Sequence, residues 1–508
     1  MTSSILSLKN ILYLLLLYVA LLACWGYEYG SGDHVQIIPM LLAEKDSSLY
    51  QNDFYVQSTQ TDNITERTFQ LLLLKLFFDE QGWWVFILHS IFSLLLLSAL
   101  WRISNFILQD EKLTWIVLLI LCFPLMYHSL GSVELYNAGF TPGEAFAAWG
   151  IYYWLQRKLI AAYLFISLSA LLHPIIGLHI FLLVTATEIY LLFFNKKYDT
   201  KPRKLILPVL MFLCSAGIYI SLLKIRLNDT AITNTDFFNL FFSFRNAHHY
   251  IPDTFSNIDW LIHAPLYLLA PVVFFRSNKF LFCFSLLTII GCVIYYIAVE
   301  QFHSVLFASL QWFKATIWLE FFSIVAILLL LKKYLFFKGL RNLLLSATLV
   351  GCVLWAIFVF PGISVIKNST DYEFPFYTKT TAAIDISRQA KLKTPKDALF
   401  LQPCSFSELK FYGQRGTYVE FKALTHKKSF LKEWGERFEK VYNIQIEAGK
   451  NGFEACRASD AYFKTLTDAD VAELKSETNA DHLITYASCK LSFQVIAQND
   501  IYVIYNLE

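Results

Sequence analysis

Residues 83–101 read WWVFILHSIFSLLLLSALW, a run without a formal charge, opened by two tryptophans and closed by a third just before Arg102. Coiled as an α-helix at 1.5 Å per residue, such a run is about 28 Å long, close to the ~30 Å hydrocarbon core of a bilayer. A helix also satisfies its own backbone groups where no water can reach them, and tryptophans favour the two headgroup layers. Outward from this stretch, comparable apolar runs lie near 10–27, 113–130, 143–156, 159–172, 175–194, 205–223, 260–275, 280–298, 314–331 and 342–360. The expectation is a polytopic α-helical membrane protein with about 11 transmembrane helices. The first run reads as a retained span, because Trp25 and Tyr27 look like interface anchors and no small-residue cleavage site follows.

Composition agrees. Of 508 residues, 56% are hydrophobic and only 16% charged, against roughly 25% charged in soluble domains. The net charge of +2 gives no sign of nucleic-acid binding. The placement of charge is informative. With the N-terminus inside, sixteen basic residues fall in inner segments, five of them in the short stretch 196–204. The longer outer segments before the tail hold seven: Lys45, Arg67, Lys75, Lys224, Arg226, Arg245 and Lys314. By the positive-inside rule the N-terminus is cytoplasmic, and an odd number of spans puts the tail on the outer face.

This gives a membrane domain over 1–360, with long outer loops at 28–82 and 224–259, and an extracytoplasmic α/β domain over 361–508. In the first loop, ERTFQLLLLKLFFDE (66–80) is apolar but too short to span, and reads as a helix lying in the interface. The tail alternates between strands (ALFLQP, 398–403; GTYVEFK, 416–422; HLITYAS, 482–488), a helical stretch near 427–448, and a final hairpin about Asn499-Asp500. Six of the nine cysteines sit in apolar runs as packing residues. Cys404, Cys456 and Cys489 lie in the tail and allow one disulfide.

The polar residues crowd the outer side. YGSGDHVQIIPM (29–40) sets two glycines before Asp33-His34, so that the backbone can turn and aim a carboxylate a few residues beyond the first span. An ionised Asp can take a proton from a hydroxyl held beside it; a solvated turn-forming Asp is the plainer reading. QNDFYV (51–56) offers Asp53, whose plainer reading is a helix cap. FRNAHHY (244–250) groups Arg245, His248 and His249, a donor set suited to phosphate, and Lys314 stands at the outer end of a span. His173-Pro174 forms an outer turn within reach of the same headgroup zone, and Glu134, Tyr136, Asn137 and Glu144 line another outer loop. Glu188, near the inner end of its span, reads as interface-exposed. These motifs name no certain cofactor and leave a divalent metal open.

Taken together, the inside N-terminus, the long first outer loop with an acid soon after the first span, and the extracytoplasmic tail resemble the C-type glycosyltransferase superfamily. DHVQIIP paired with QNDFYV, the His-Pro turn, FRNAHHY and TPKDALFLQP…GTYVEFK are similar to an uncharacterised bacterial branch of it. The Trp-Trp-Asp motif of oligosaccharyltransferases is missing, since Trp83-Trp84 is followed by Val85. The resemblance implies transfer of a sugar from a polyprenyl-phosphate carrier to a glycan, lipid or protein acceptor, at the outer face of a bacterial inner membrane, with inversion. Asp33 or Asp53 would be the base, and His34, His173, Arg245, His248, His249 and Lys314 would hold the phosphate and substrate. The competing class is a transporter, flippase or scaffold for lipid-linked envelope precursors. It calls for broken helices and buried polar sites, whereas these spans read as mostly free of charge.

An impermeant maleimide applied to intact cells is therefore expected to label Cys404, or a cysteine at Ser58, and to miss a cysteine at Thr200. Labelling at Thr200 would reverse the orientation.

Overall fold

The computed structural model describes residues 7–27, 29–30, 32–60, 64–120, 129–131, 135, 142–195, 202–226, 229–334, 339, 342–343, 345–348, 350, 373–374, 377–378, 380–447 and 451–508. The chain divides into two compact units. A membrane unit comprises Met1–Tyr27, Trp83–Ser221 and His248–Asp371; an extramembrane unit comprises Glu28–Gly82, Leu222–Ala247 and Tyr372–Glu508. The division is not the linear one at residue 360, because both long loops join the tail. Segments of one unit that lie on the same side of a bilayer are separated by even numbers of crossings. The sequence supplies six apolar runs between the loops and four between the second loop and the tail.

In the membrane unit six described helices are long and apolar enough to cross a bilayer: Trp83–Leu108, Pro174–Phe194, Arg203–Lys224, Asn257–Ser277, Lys279–Gln301 and Val305–Lys332. This is an integral membrane protein. Leu8–Trp25 is also apolar; it starts at Ser7, whose side chain accepts from the Asn10 amide, and stops at Gly26, where φ is +75°. Its buried face, Leu14, Leu17, Tyr18 and Leu21, packs on Leu97, Trp101, Trp115 and Leu118. The described residues do not show eleven full spans. Pro142–Leu155 and Leu159–Leu172 have 14 residues each, about 21 Å and too short to cross alone. They form a hairpin about Arg157, so the crossing parity is unchanged. The run at 342–360 and residues 121–128 of the third run lie almost wholly outside the described residues.

The extramembrane unit holds two sheets. One is a hairpin of β1 (Glu373–Phe374) and β2 (Tyr377–Thr378). The other has five strands in the order β4-β3-β5-β7-β6: β3 (Leu399–Leu401), β4 (Gly416–Thr417), β5 (His482–Tyr486), β6 (Gln494–Gln498) and β7 (Tyr502–Asn506). β4, β3 and β5 run parallel, and the expected final hairpin, β6–β7, is antiparallel. Phe400, Ile484 and Ile504 of the sheet pack with Phe406, Leu409 and the Ala382–Lys393 helix through Ile386 and Ala390. The Lys428–Tyr442 helix buries Phe430, Leu431, Trp434, Phe438, Val441 and Tyr442. Of the apolar segment 66–80 only Thr68–Lys75 is helical, and Leu72, Leu76 and Phe77 stand exposed there, as a helix resting on a lipid surface requires.

GTYVEFK gives just two strand residues, because its later carbonyls are taken by side chains. Tyr418 O accepts from Arg437, Val419 O from the Tyr442 hydroxyl and Glu420 O from the Trp434 indole. Phe421 O accepts from Arg245, and Lys422 O from both Arg245 and Gln36.

Cys404 and Cys456 form a disulfide, closing a loop across 52 positions, and both are buried. External labelling of Cys404 is accordingly not expected without reduction; Ala472→Cys, on an exposed helix position, is the better probe. Loop closure of this length corresponds to about 4 kcal/mol. Cys404→Ser should lower the unfolding free energy by about that amount, and intact protein should run faster on a non-reducing gel than after reduction. Equal mobility in both conditions would remove the bond.

Candidate functional site

The extramembrane unit carries two charge clusters of different kinds. The first is built at the head of the first loop. Gly30 and Gly32 both have positive φ, +96° and +54°, and a Cβ on Gly30 would meet the Phe411 ring at 2.6 Å. The chain can turn only with glycine there, and it emerges into the His34–Lys45 helix with Asp33 at its N-cap. The Asp33 side chain makes no capping bond. It turns to Arg67 Nη2 at 3.1 Å, and it is 67% exposed against 21% for Arg67. The Arg67 guanidinium, with help from Lys422, holds the Asp33 carboxyl well below the usual carboxylate range. His34 is buried; its Nδ1 accepts from the Gly30 amide at 3.4 Å and its ring packs edge-on to Tyr29. Its contacts are those of a turn support.

The second cluster is closed. Asp53 is fully buried, and its carboxylate takes the Val56 amide, the Thr417 amide and hydroxyl, and Lys410 Nζ at 3.0 Å. Lys410 reaches Glu420 on its other side, also at 3.0 Å. Burial would lower the Lys410 pKa, but the two carboxylates outweigh it and raise it; burial lifts that of Glu420. Asp53 is thus a capping and pairing group, not a carboxylate open to a hydroxyl. A third pair, Glu66–His426, stands at 3.1 Å. Burial opposes ionisation of Glu66, but His426 and neighbouring groups hold it down at about 2.

Arg245 does not present its guanidinium to a phosphate. Besides the two carbonyls above, it donates to Asn246 Oδ1, and it stacks on Phe421 at 4.2 Å. It comes from Phe238–Arg245, a π-helical turn in which Phe238, Phe241, Phe242 and Phe244 are buried.

The membrane unit holds the other candidates. The Val305–Lys332 helix is broken at Gln311, which is left-handed at φ +47°, and continues through the 3-10 turn Trp312–Ala315. The break frees the Leu310 carbonyl, which bonds His179 Nε2 at 2.6 Å. Gln311 Nε2 donates to the Tyr250 hydroxyl, and the Tyr295 hydroxyl donates to the Tyr250 carbonyl at 2.8 Å. This knot brings the His248-His249-Tyr250 segment onto the break that carries Lys314. The His248 and His249 rings lie tilted against each other, centroids 3.9 Å apart. His173 caps the Pro174–Phe194 helix through Nδ1, and its Cβ lies 2.5 Å from where a Cβ on Gly143 would stand. Glu144 is buried; Glu28, Glu134, Tyr136 and Asn137 lie outside the described residues. Glu188 is buried rather than interface-exposed. Arg157 binds both its oxygens, at 2.5 and 3.0 Å, and the Trp154 indole donates to one of them.

Sequence reading passed over Arg67, Lys422, His179 and Gln311. The signal for Arg67 was its position heading the interfacial segment; for Gln311 there was none, since a left-handed Gln has no sequence mark. Among the described residues no cluster of three or more His, Cys, Asp or Glu side chains is arranged to hold a metal.

Against known proteins, a family model for a domain of unknown function, DUF6798, matches residues 381–441. No curated protein matches the chain. Among solved structures, ArnT from Cupriavidus metallidurans bound to undecaprenyl phosphate is similar at 11% identity and a TM-score of 0.38, over 97% of this chain and 96% of that one.

The two clusters predict opposite outcomes. Asp53→Asn leaves Lys410 short of a buried partner and should cost about 3–5 kcal/mol of unfolding free energy. Asp33→Asn, at an exposed pair, should change it by less than about 1 kcal/mol. Thermal or denaturant unfolding of both variants in one lipid environment checks this, and equal losses would refute the distinction.

Proposed function

We propose that the chain is a C-type glycosyltransferase, which moves a sugar from a polyprenyl-phosphate carrier to an acceptor at the outer membrane face. The observation that carries the reading is Asp33, an ionised and accessible carboxylate held beside Arg67 in the loop where the resemblance places the acid. In the proposed step the acceptor oxygen bonds the anomeric carbon as the bond from that carbon to the phosphate oxygen breaks. The electron pair leaves on the phosphate and the acceptor proton passes to Asp33. The attacking hydroxyl becomes strongly acidic only as its oxygen bonds carbon, so a weakly basic carboxylate that is always ionised is adequate. With Arg245 committed elsewhere, Lys314, His248, His249 and His173 are the proposed partners of the phosphate and headgroup. The orientation, with a cytoplasmic N-terminus and a periplasmic tail in a bacterial inner membrane, belongs to the same proposal and rests on loop charge.

A transporter or flippase for lipid-linked precursors gains from one observation, the helix break at Gln311, since discontinuous helices are a transporter feature. Turnover separates the two readings. With radiolabelled polyprenyl-phosphate sugars in native membranes, Asp33→Asn should lower transfer by about 10²–10⁴ while donor-lipid binding changes little. Flux of donor lipid without any transfer would favour the second reading.

The pH profile tests the electrostatics. The pKa of Asp33 is depressed below its ordinary 3.8, so the acid limb of the wild-type rate should lie below that pH. Arg67→Gln removes the largest cause and should move the limb upward. An unmoved limb would uncouple Arg67 from the base.

A further inference from the structure

The membrane unit contains a second polar site that the transfer chemistry does not use. His263, on the Asn257–Ser277 helix, and Glu320, on the Thr316–Tyr334 helix, face each other with Nδ1 and Oε2 3.5 Å apart. Their side chains are 7% and 2% exposed. Apart from this long contact with each other, neither Glu320 oxygen nor His263 Nδ1 meets a hydrogen-bond partner. One helical turn along on each helix, Tyr267 and Thr316 do bond, at 3.2 Å, and the Tyr267 hydroxyl accepts from the Leu130 amide. Ser129 beside it is buried, and its hydroxyl is also without a partner. Two facing helices thus set poorly satisfied polar atoms against each other in an apolar bundle, with the Leu130 amide bonded one turn away. The other titratable or charged groups about it are Tyr267, Cys292 and, at the helix break, Lys314.

A carboxylate in such surroundings must be neutralised or paired, and within a membrane unit that demand usually marks a binding function. Lys314 is six positions along the chain from Glu320. The geometry points to a cation site: we propose that Glu320, assisted by His263, binds one positive charge, delivered as a proton or as a sodium ion. The inference stands apart from the glycosyltransferase reading and needs no turnover to be tested.

The full chain in nanodiscs is the test object. Ligand that binds only the folded state raises the melting temperature by mass action. For a chain of this size the rise should be on the order of 1–2 °C per tenfold increase in the bound cation above its dissociation constant. Melting is followed from pH 5 to 8 in choline chloride, then at fixed pH with sodium replacing choline at constant ionic strength. A proton-dependent shift, abolished in Glu320→Gln, supports a proton site; a sodium-dependent shift, abolished likewise, supports an ion site. If Glu320→Gln does not fold, His263→Asn serves, and the cation dependence should weaken by about tenfold in apparent affinity. Wild-type melting that responds to neither cation, or variants that respond as the wild type does, would overturn the proposal.

Discussion

Five consecutive backbone carbonyls, Tyr418 to Lys422, each accept a hydrogen bond from a side chain rather than from a neighbouring strand. The extramembrane unit depends on this arrangement. A buried carbonyl left unpaired costs about 1–3 kcal/mol, so the segment can leave the sheet after Thr417 only where replacement donors exist. They come from three separate parts of the chain: Gln36 in the first loop, Arg245 in the second, and Trp434, Arg437 and Tyr442 in one tail helix. The same segment sets Glu420 beside Lys410 and Lys422 near Asp33. A strand would have pointed Glu420 and Lys422, two positions apart, to the same face. The side-chain clamp fixes them without that restriction.

Within that frame the two carboxylates of the first loop differ by environment alone. Asp53 meets an ammonium, two amides and a hydroxyl in a space closed to water, where ionic bonds are strong and removal of one partner is expensive. Asp33 meets one guanidinium at the surface, where the pair contributes little to stability. It is Asp33, whose loss the fold can bear, that is open to a reacting group. Sequence reading ranked these residues in this order but had no means to see why, since Lys410, Thr417 and Glu420 lie more than 350 positions away.

What the sequence made legible follows the range of the interactions involved. Apolar runs act locally, and they predict the long helices well. The two 14-residue helices match the apolar runs at 143–156 and 159–172 almost residue for residue, and the positive φ of Arg157 marks the turn between them. Arg245 was read as a phosphate ligand from its neighbours in the chain, while its partners Phe421 and Lys422 are about 175 positions distant. The shortened strand at 416–422 has the same origin: β-branched and aromatic residues do favour a strand, and side-chain donors from elsewhere override them. Cys404 and Cys456 were within reach of the reading, because three tail cysteines permit few pairings, and the structure selects one.

The reading of the spans as mostly clean of charge passed over Glu320 and set Glu188 at the interface, and the membrane unit treats these two carboxylates in opposite ways. Glu188 receives a bidentate guanidinium and an indole N–H, so its burial is fully compensated and its task is to tie the Arg157 turn to the Pro174–Phe194 helix. Its neighbours explain it completely. Glu320 is as deeply buried and has only His263 Nδ1, at 3.5 Å, to face it. Selection for stability alone would have placed a Leu or Met there, since an unpaired polar group in an apolar interior only costs free energy. A side chain that weakens the bundle in isolation is retained for what it binds, and the contrast with Glu188 shows that this fold can pair a carboxylate when structure is the purpose.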